Sequence, residues 1–206
     1  MDHDWKAMSH VGTEARRARL RADLVRIASR KIASDGAQSL RARDLAAEAG
    51  CAVGTLYNVF PDMAALVLEV NGRTFATLGM SVTAATAGAG KAGPAARLSM
   101  MAHAYFQFAV RQRHLWNALF AAKMPESGIP RWYRRSMEGL LSQIAAPLAE
   151  IHPDRSPRQL RALTRALFYA VHGIVEAGIR GSGGALTTGQ IEEMISLTVR
   201  QFAAKR

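Results

Sequence analysis

Arg43 to Leu66, RDLAAEAGCAVGTLYNVFPDMAAL, leaves the chain little choice of fold. Leu45, Ala46 and Ala49 form an apolar stripe at helical spacing. Gly50 follows directly, where a left-handed residue ends a helix at no steric cost. Ala52 to Asn58 makes a second, very short helix, with Val53 and Leu56 facing inward and Gly54, Thr55, Tyr57 and Asn58 pointing elsewhere. Phe60-Pro61-Asp62 closes it: the residue before a proline resists helix, and Asp62 is placed to cap the next one. Two small helices joined by a glycine turn form the helix-turn-helix, whose second helix enters the DNA major groove.

The rest of the chain reads as helix. Residues 1–12 are polar and read as a loose, disordered arm. Thr13 to Asp35 carries Leu20, Leu24, Val25, Ile27, Ala28 and Ile32 at helical intervals and stops at Gly36. Asp62 to about Ala84 is a connecting helix, and Thr86 to Gly93 is a Gly/Ala-rich loop. Further helices are expected from Pro94 to Arg111, His114 to Met124, Arg131 to Ile151, Ser156 to Arg180 and Thr187 to the C-terminus. Pro147 should kink or stop the third of these near Ile144. Ser156 with Gln159, and Thr187 with Gln190, have the spacing of capping boxes. No alternating strand pattern and no internal repeat is present, so the fold class is all-α.

The 206 residues suffice for a packed core, and the net charge of +11 suits a polyanionic partner. That charge is spread unevenly: residues 1–75 carry a net +2 and residues 76–206 a net +9. Bulk charge therefore says little about DNA. The arginines of the first helix, Arg16, Arg17, Arg19, Arg21, Arg26 and Arg30, say more, although a solvated helix face explains many of them equally well. The single cysteine, Cys51, excludes an internal disulfide and reads as a small packed residue of the turn. No apolar run reaches the roughly 18 residues of a membrane span, and the N-terminus is not a signal peptide, so a cytoplasmic protein with no membrane partner is expected.

The strings Ala49-Gly50, Gly54-Thr55-Leu56-Tyr57, Phe60 and Ala65-Leu66 resemble the N-terminal domain of TetR-type transcriptional repressors over roughly residues 13–75. Residues 97–180 resemble one C-terminal class of that family, described by a Trp-His-Gly motif. Tyr105-Phe106-Gln107-Phe108-Ala109 with Leu115-Trp116 looks like its opening, and Val171-His172-Gly173-Ile174-Val175 like its close. Val171 stands where the class usually has Trp. The resemblance implies a three-helix helix-turn-helix domain over 13–61, a connecting helix over 62–85, and a larger ligand-binding and dimerisation domain over 94–206. It also implies a dimer on a palindromic double-stranded operator, released by a small-molecule effector.

On the family's pattern Tyr57 is a phosphate contact, and Arg43 lies at a position for a groove or phosphate contact. Thr55 and Asn58 are base-edge candidates, because Asn pairs bidentately with adenine, and Val53 suits a thymine methyl. Gly54 belongs to the same face. Several residues depart from the pattern. Ala52 replaces the usual capping Ser, and Arg41 stands where Ser or Thr caps the preceding helix. Val59 replaces a frequent His and Met63 a phosphate-binding Lys. Arg41 is placed to restore one backbone contact.

The middle helices cluster His103, Tyr105, Trp116, Phe120, Met124, Trp132, Met137 and His172, the composition of an adaptable and largely apolar ligand site. Core packing explains each of them singly at least as well. In the last two helices Leu163, Leu167, Ala170 and Ile174, with Ile191, Ile195 and Phe202, exceed one apolar stripe and suggest a partner helix pair in a homodimer. Gly173 would let those helices approach closely. No phosphate loop, nucleophile elbow, HExxH pair or Cys/His array points to catalysis, a metal or a cofactor. The rival reading is a helical interaction or small-molecule-binding protein of the same fold that has lost operator binding.

Overall fold

The computed structural model describes residues 4–89, 92–121, 128–181 and 186–204, and these form nine α-helices with no strand among them. In chain order they are α1 Asp4–Asp35, α2 Ala42–Glu48, α3 Val53–Val59, α4 Met63–Ala87, α5 Pro94–Arg111, α6 Arg113–Ala121, α7 Arg131–Ile151, α8 Pro157–Arg180 and α9 Thr188–Ala203. Gly36, at φ 83°, ends α1, and Gly50, at φ 66°, turns α2 into α3; a side chain would be strained at either corner. Asp62 accepts a 2.6 Å hydrogen bond from the Ala65 amide and so caps α4. Both capping boxes form, Ser156 with Gln159 and Thr187 with Gln190.

Three details differ from the sequence reading. The helix α1 begins at Asp4, so the expected arm over 1–12 is helical from residue 4; no proline precedes Pro61 to break it. The helix α7 runs unbroken through Pro147 to Ile151. The proline removes one amide donor to the Gln143 carbonyl, but Pro147, Leu148 and Ile151 are buried, and their packing outweighs one lost bond. The third concerns the close approach of the last two helices. It is made at Gly178, where a Cβ would collide with Ile191, while nothing lies within 4 Å of a Cβ at Gly173.

The chain divides into two compact units. The first comprises residues 1–74 together with His114–Ile129, so α6 groups with the helix-turn-helix and not with the 94–206 block expected from sequence. Its core joins Leu24, Ile27, Ala28 and Ile32 of α1, Leu45 of α2, Leu56 of α3, Phe60, Leu66 and Val70 of α4, and Ala118 of α6. Asn71, fully buried on α4, donates a 2.9 Å hydrogen bond from Nδ2 to the Ala118 carbonyl, which pins α6 in place.

The second unit comprises Phe75–Arg113 and Pro130–Arg206. There α5, α7, α8 and α9 pack as a bundle around Phe106, Leu148, Leu167, Val175, Ile195 and Val199. Each such side chain contributes about 1.5–3 kcal/mol on leaving water.

Candidate nucleic-acid interface and apolar cavity

The short helix α3 has only seven residues and makes few bonds of its own. It is held from outside. Leu56 and Phe60 are sealed in the first unit's core, and Val53 and Cys51 pack half-buried against it. At its C-terminal end the orphan carbonyls are taken by α1. Arg17 Nη2 donates to the Asn58 carbonyl at 2.8 Å, and Arg21 Nη1 donates to the Val59 carbonyl at 3.2 Å. Cations at a helix C-terminus also oppose its negative pole. Arg21 in turn lies over the Phe60 ring, 4.4 Å from its centre, and is ion-paired with Glu69 of α4 at 2.5 Å. One α1 side chain therefore joins the end of α3 to the start of α4.

With one side fixed, α3 turns Gly54, Thr55, Tyr57 and Asn58 outward, Tyr57 at 45 % exposure. A Cβ at Gly54 would meet nothing within 4 Å, so packing within the chain does not demand the glycine. Arg43 is exposed on α2. Arg41 is exposed too, but its Nη1 folds back onto the Gln38 and Leu40 carbonyls at 2.8 and 3.0 Å. Neither Arg41 at the start of α2 nor Ala52 at the start of α3 supplies a side-chain cap. Val53 faces the core more than the solvent, which leaves it little area for a thymine methyl.

The second unit holds a narrow cavity of about 60 Å³. It is lined by Leu78 and Val82 of α4, Leu98, Met101, Ala102 and Tyr105 of α5, Leu140 and Ile144 of α7, Leu167, Phe168 and Val171 of α8, and Val199 of α9. Tyr105 is the lining residue that carries a hydroxyl. Behind it, Tyr105 Oη and His172 Nδ1 share a 2.7 Å hydrogen bond, and Phe168 stacks on the imidazole at 5.7 Å. Burial holds the His172 pKa below its ordinary value; Arg180 pushes the same way and Glu176 opposes both.

The residues read from sequence as a ligand cluster do not converge here. Tyr105 lines the cavity and His172 sits behind it. His103 is a satisfied structural histidine: its Nδ1–H donates to the Ser99 carbonyl at 2.8 Å, and Ser196 Oγ lies 3.4 Å from its Nε2. Trp116, 1 % exposed, and Phe120 pack against each other with their rings tilted by 59°, within the first unit. Trp132 and Met137 are partly exposed on α7, away from the cavity wall, and Met124 lies outside the described residues. The side chains that do line the cavity read as core stripes in the sequence, because an apolar wall and an apolar core have the same periodicity.

The residues named for a dimer face also divide. Leu167, Ile191 and Ile195 are buried inside their own chain, Leu167 against the cavity, and cannot meet a partner. Leu163, Ala170, Ile174 and Phe202 are half-buried, and the Phe202 carbonyl accepts a 2.8 Å hydrogen bond from His152 Nε2. The exposed apolar side chains of α8 and α9 are Tyr169, Met194 and Leu197, at 66, 38 and 46 %. No single helix among the described residues is long and apolar enough to cross a membrane. Among the same residues, no three His, Cys, Asp or Glu side chains gather as metal ligands would.

Comparison with known proteins agrees with this architecture. Residues 24–70 match the family described as bacterial regulatory proteins, tetR family, and residues 98–202 match the tetracyclin repressor-like C-terminal domain. The second description is broader than the Trp-His-Gly class and does not name it. No curated protein matches the chain in sequence. Among solved structures, a protein of unknown function from Rhodococcus sp. RHA1 is 22 % identical with a TM-score of 0.71, covering 89 % of this chain and 93 % of its own. RolR, solved with the ligand resorcinol, is 16 % identical with a TM-score of 0.68, over 94 % of this chain and 97 % of its own. A TetR transcriptional regulator from Rhodococcus sp. RHA1 is 15 % identical with a TM-score of 0.58, over 93 % and 97 %. At these identities the solved structures establish the fold, and the C-terminal match alone spans half of the sequence. The chain belongs to the TetR family of bacterial regulatory proteins.

Proposed function

We propose that this protein is a ligand-responsive repressor that binds a near-palindromic operator as a dimer and is released when a small, largely apolar molecule enters the second unit. The observation that carries the reading is the exposed polar face of α3, held rigid by a buried opposite face and by the α1 arginines on its last carbonyls. Two such helices would enter successive major grooves about 34–36 Å apart. Tyr57 serves as a phosphate contact. Thr55 and Asn58 serve as base-edge contacts, with Arg43 and Arg41 beside them and Gly54 allowing close approach. Coupling would run along α4, which gives Leu66 and Val70 to the first unit's core and Leu78 and Val82 to the cavity wall.

The effector's chemistry follows from the wall. The cavity presents hydrocarbon and one phenol, with no cation lining it, and His172 behind the phenol is held uncharged by burial. A neutral, largely apolar molecule suits this wall better than a charged one. An engineered 150 Å³ cavity admits benzene. At about 60 Å³ this one must widen to take a ring, and that widening would supply the conformational work. Effector and operator affinities would then be coupled by about 1–3 kcal/mol.

The uncapped starts of α2 and α3 favour a second reading, a fold that binds its ligand but has lost the operator. A mobility shift with DNA from upstream of its own gene separates the two. Under the repressor reading, Tyr57→Ala weakens binding to all sequences alike, whereas Asn58→Ala costs about 1–3 kcal/mol on the operator and little on random DNA. Equal effects of both substitutions on both DNAs would refute these roles.

For the dimer, Leu197→Glu on the exposed face of α9 should yield a folded monomer in sedimentation, with operator binding lost along with it. A variant that stays dimeric would move the interface elsewhere.

The cavity histidine makes stability depend on pH. Because its folded pKa lies below the ordinary value of 6.5, the unfolded chain takes the proton first. Stability is therefore complete above that value and declines as pH drops below it, towards the folded pKa. From about pH 7.5 to about pH 5.5, the melting temperature should fall further in the wild type than in His172→Gln, and parallel declines would mean that His172 is not the group responsible.

A further inference from the structure

The cavity is not fully enclosed, and its walls indicate where a ligand would pass into it. On the outer side of α4 and α7 runs an open groove of about 540 Å³. It is flanked by Ala76, Gly79 and Thr83 on α4 and by Ser136, Gly139 and Gln143 on α7. One residue belongs to both spaces: Leu140 lines the groove and the inner cavity together. On either side of it the helices divide their residues cleanly, with Leu78, Val82 and Ile144 facing the cavity and Gly79, Thr83 and Gln143 facing the groove. The crevice beside His152 and Phe202 shares no wall residue with the cavity.

We propose that Leu140 is the gate of the cavity, and that a small apolar effector enters from the α4–α7 groove past its side chain. This rests on the cavity being the effector site. The local chemistry suits a passage. Small side chains and two glycines keep the groove open. Met80 lines it too, 64 % exposed, and offers an adaptable apolar side chain to an arriving ligand. The half-buried Leu140 side chain is aliphatic, so it can change rotamer without breaking a hydrogen bond. Opposite it is Gly79, where a Cβ would stand 3.4 Å from Leu140 Cδ2 and 3.6 Å from Gln143 Nε2. A larger side chain at that point would fill the space into which Leu140 must swing. Gly79 is absent from the cavity wall, so it bears on passage and not on the bound ligand.

A gate and a wall residue have different kinetic signatures. Blocking a gate slows entry and exit together and leaves the equilibrium unchanged. The full-length protein is titrated with 4-fluorophenol, and both rates are read from fluorine NMR exchange, with each variant's melting curve as a check on folding. Gly79→Val should slow association and dissociation by the same factor, about tenfold, with the dissociation constant nearly unchanged, as expected of a change in barrier alone. Leu140→Ala should speed both. Phe168→Ala, on the opposite wall, should change the dissociation constant instead. If 4-fluorophenol binds and its rates are the same in Gly79→Val and Leu140→Ala as in the wild type, the entrance is elsewhere and the proposal fails. If it does not bind the wild type, the cavity reading itself falls and takes the gate with it. Should Gly79→Val fail to fold, Gly79→Ala takes its place, because Leu140 also lines the cavity and its variant alone does not separate passage from binding.

Discussion

The bonds from Arg17 and Arg21 of α1 to the last carbonyls of α3 are the constraint on which the rest of the reading depends. A seven-residue helix is below the length that is stable by itself in water, and this one starts at an alanine that cannot cap it. Its geometry therefore comes from its surroundings. Leu56 and Phe60 fix its depth, and the two guanidinium groups satisfy its C-terminal end. Hydrogen bonds to charged groups are worth about 1.5–3 kcal/mol when shielded, and less for the exposed Arg17. The half-buried Arg21 is the stronger member, because it also covers Phe60 and pairs with Glu69. Through it the first helix, the recognition helix and the connecting helix share one anchor.

The second unit solves a different physical problem. Four packed helices normally exclude voids, since each lost contact costs dispersion energy. Here a narrow space persists among large aliphatic side chains, with one phenol at its edge. The phenol is not left unsatisfied, because it shares a hydrogen bond with His172, and Phe168 stacks on the imidazole. The connecting helix α4 contributes residues to this wall and to the core beneath α3.

Local signals in the sequence carried well. Gly50, Asp62 and both capping boxes were readable because each is decided within four residues by backbone geometry. The helix-turn-helix was readable for the same reason. What failed depended on contacts distant in sequence. The α6 aromatics looked like a ligand cluster beside Tyr105, yet Trp116 is buried in the other unit, where Asn71 ties α6 down. Gly173 and Gly178 look alike in the sequence; only the position of Ile191 shows that the second is needed. Leu167 and Ile195 seemed surplus to one stripe, and both are used within their own bundle. The helix does not stop at Pro147, because Pro147, Leu148 and Ile151 are buried there.

The central claim is that α1 holds the recognition helix in place through its carbonyls. Amide hydrogen exchange in Arg21→Met tests it directly, because methionine keeps the bulk over Phe60 and removes the donors. The account predicts faster exchange at Leu56 to Phe60, with α7 and α8 unaltered. Unchanged protection across α3 would contradict it, and would mean that Arg21 is not what holds the helix end.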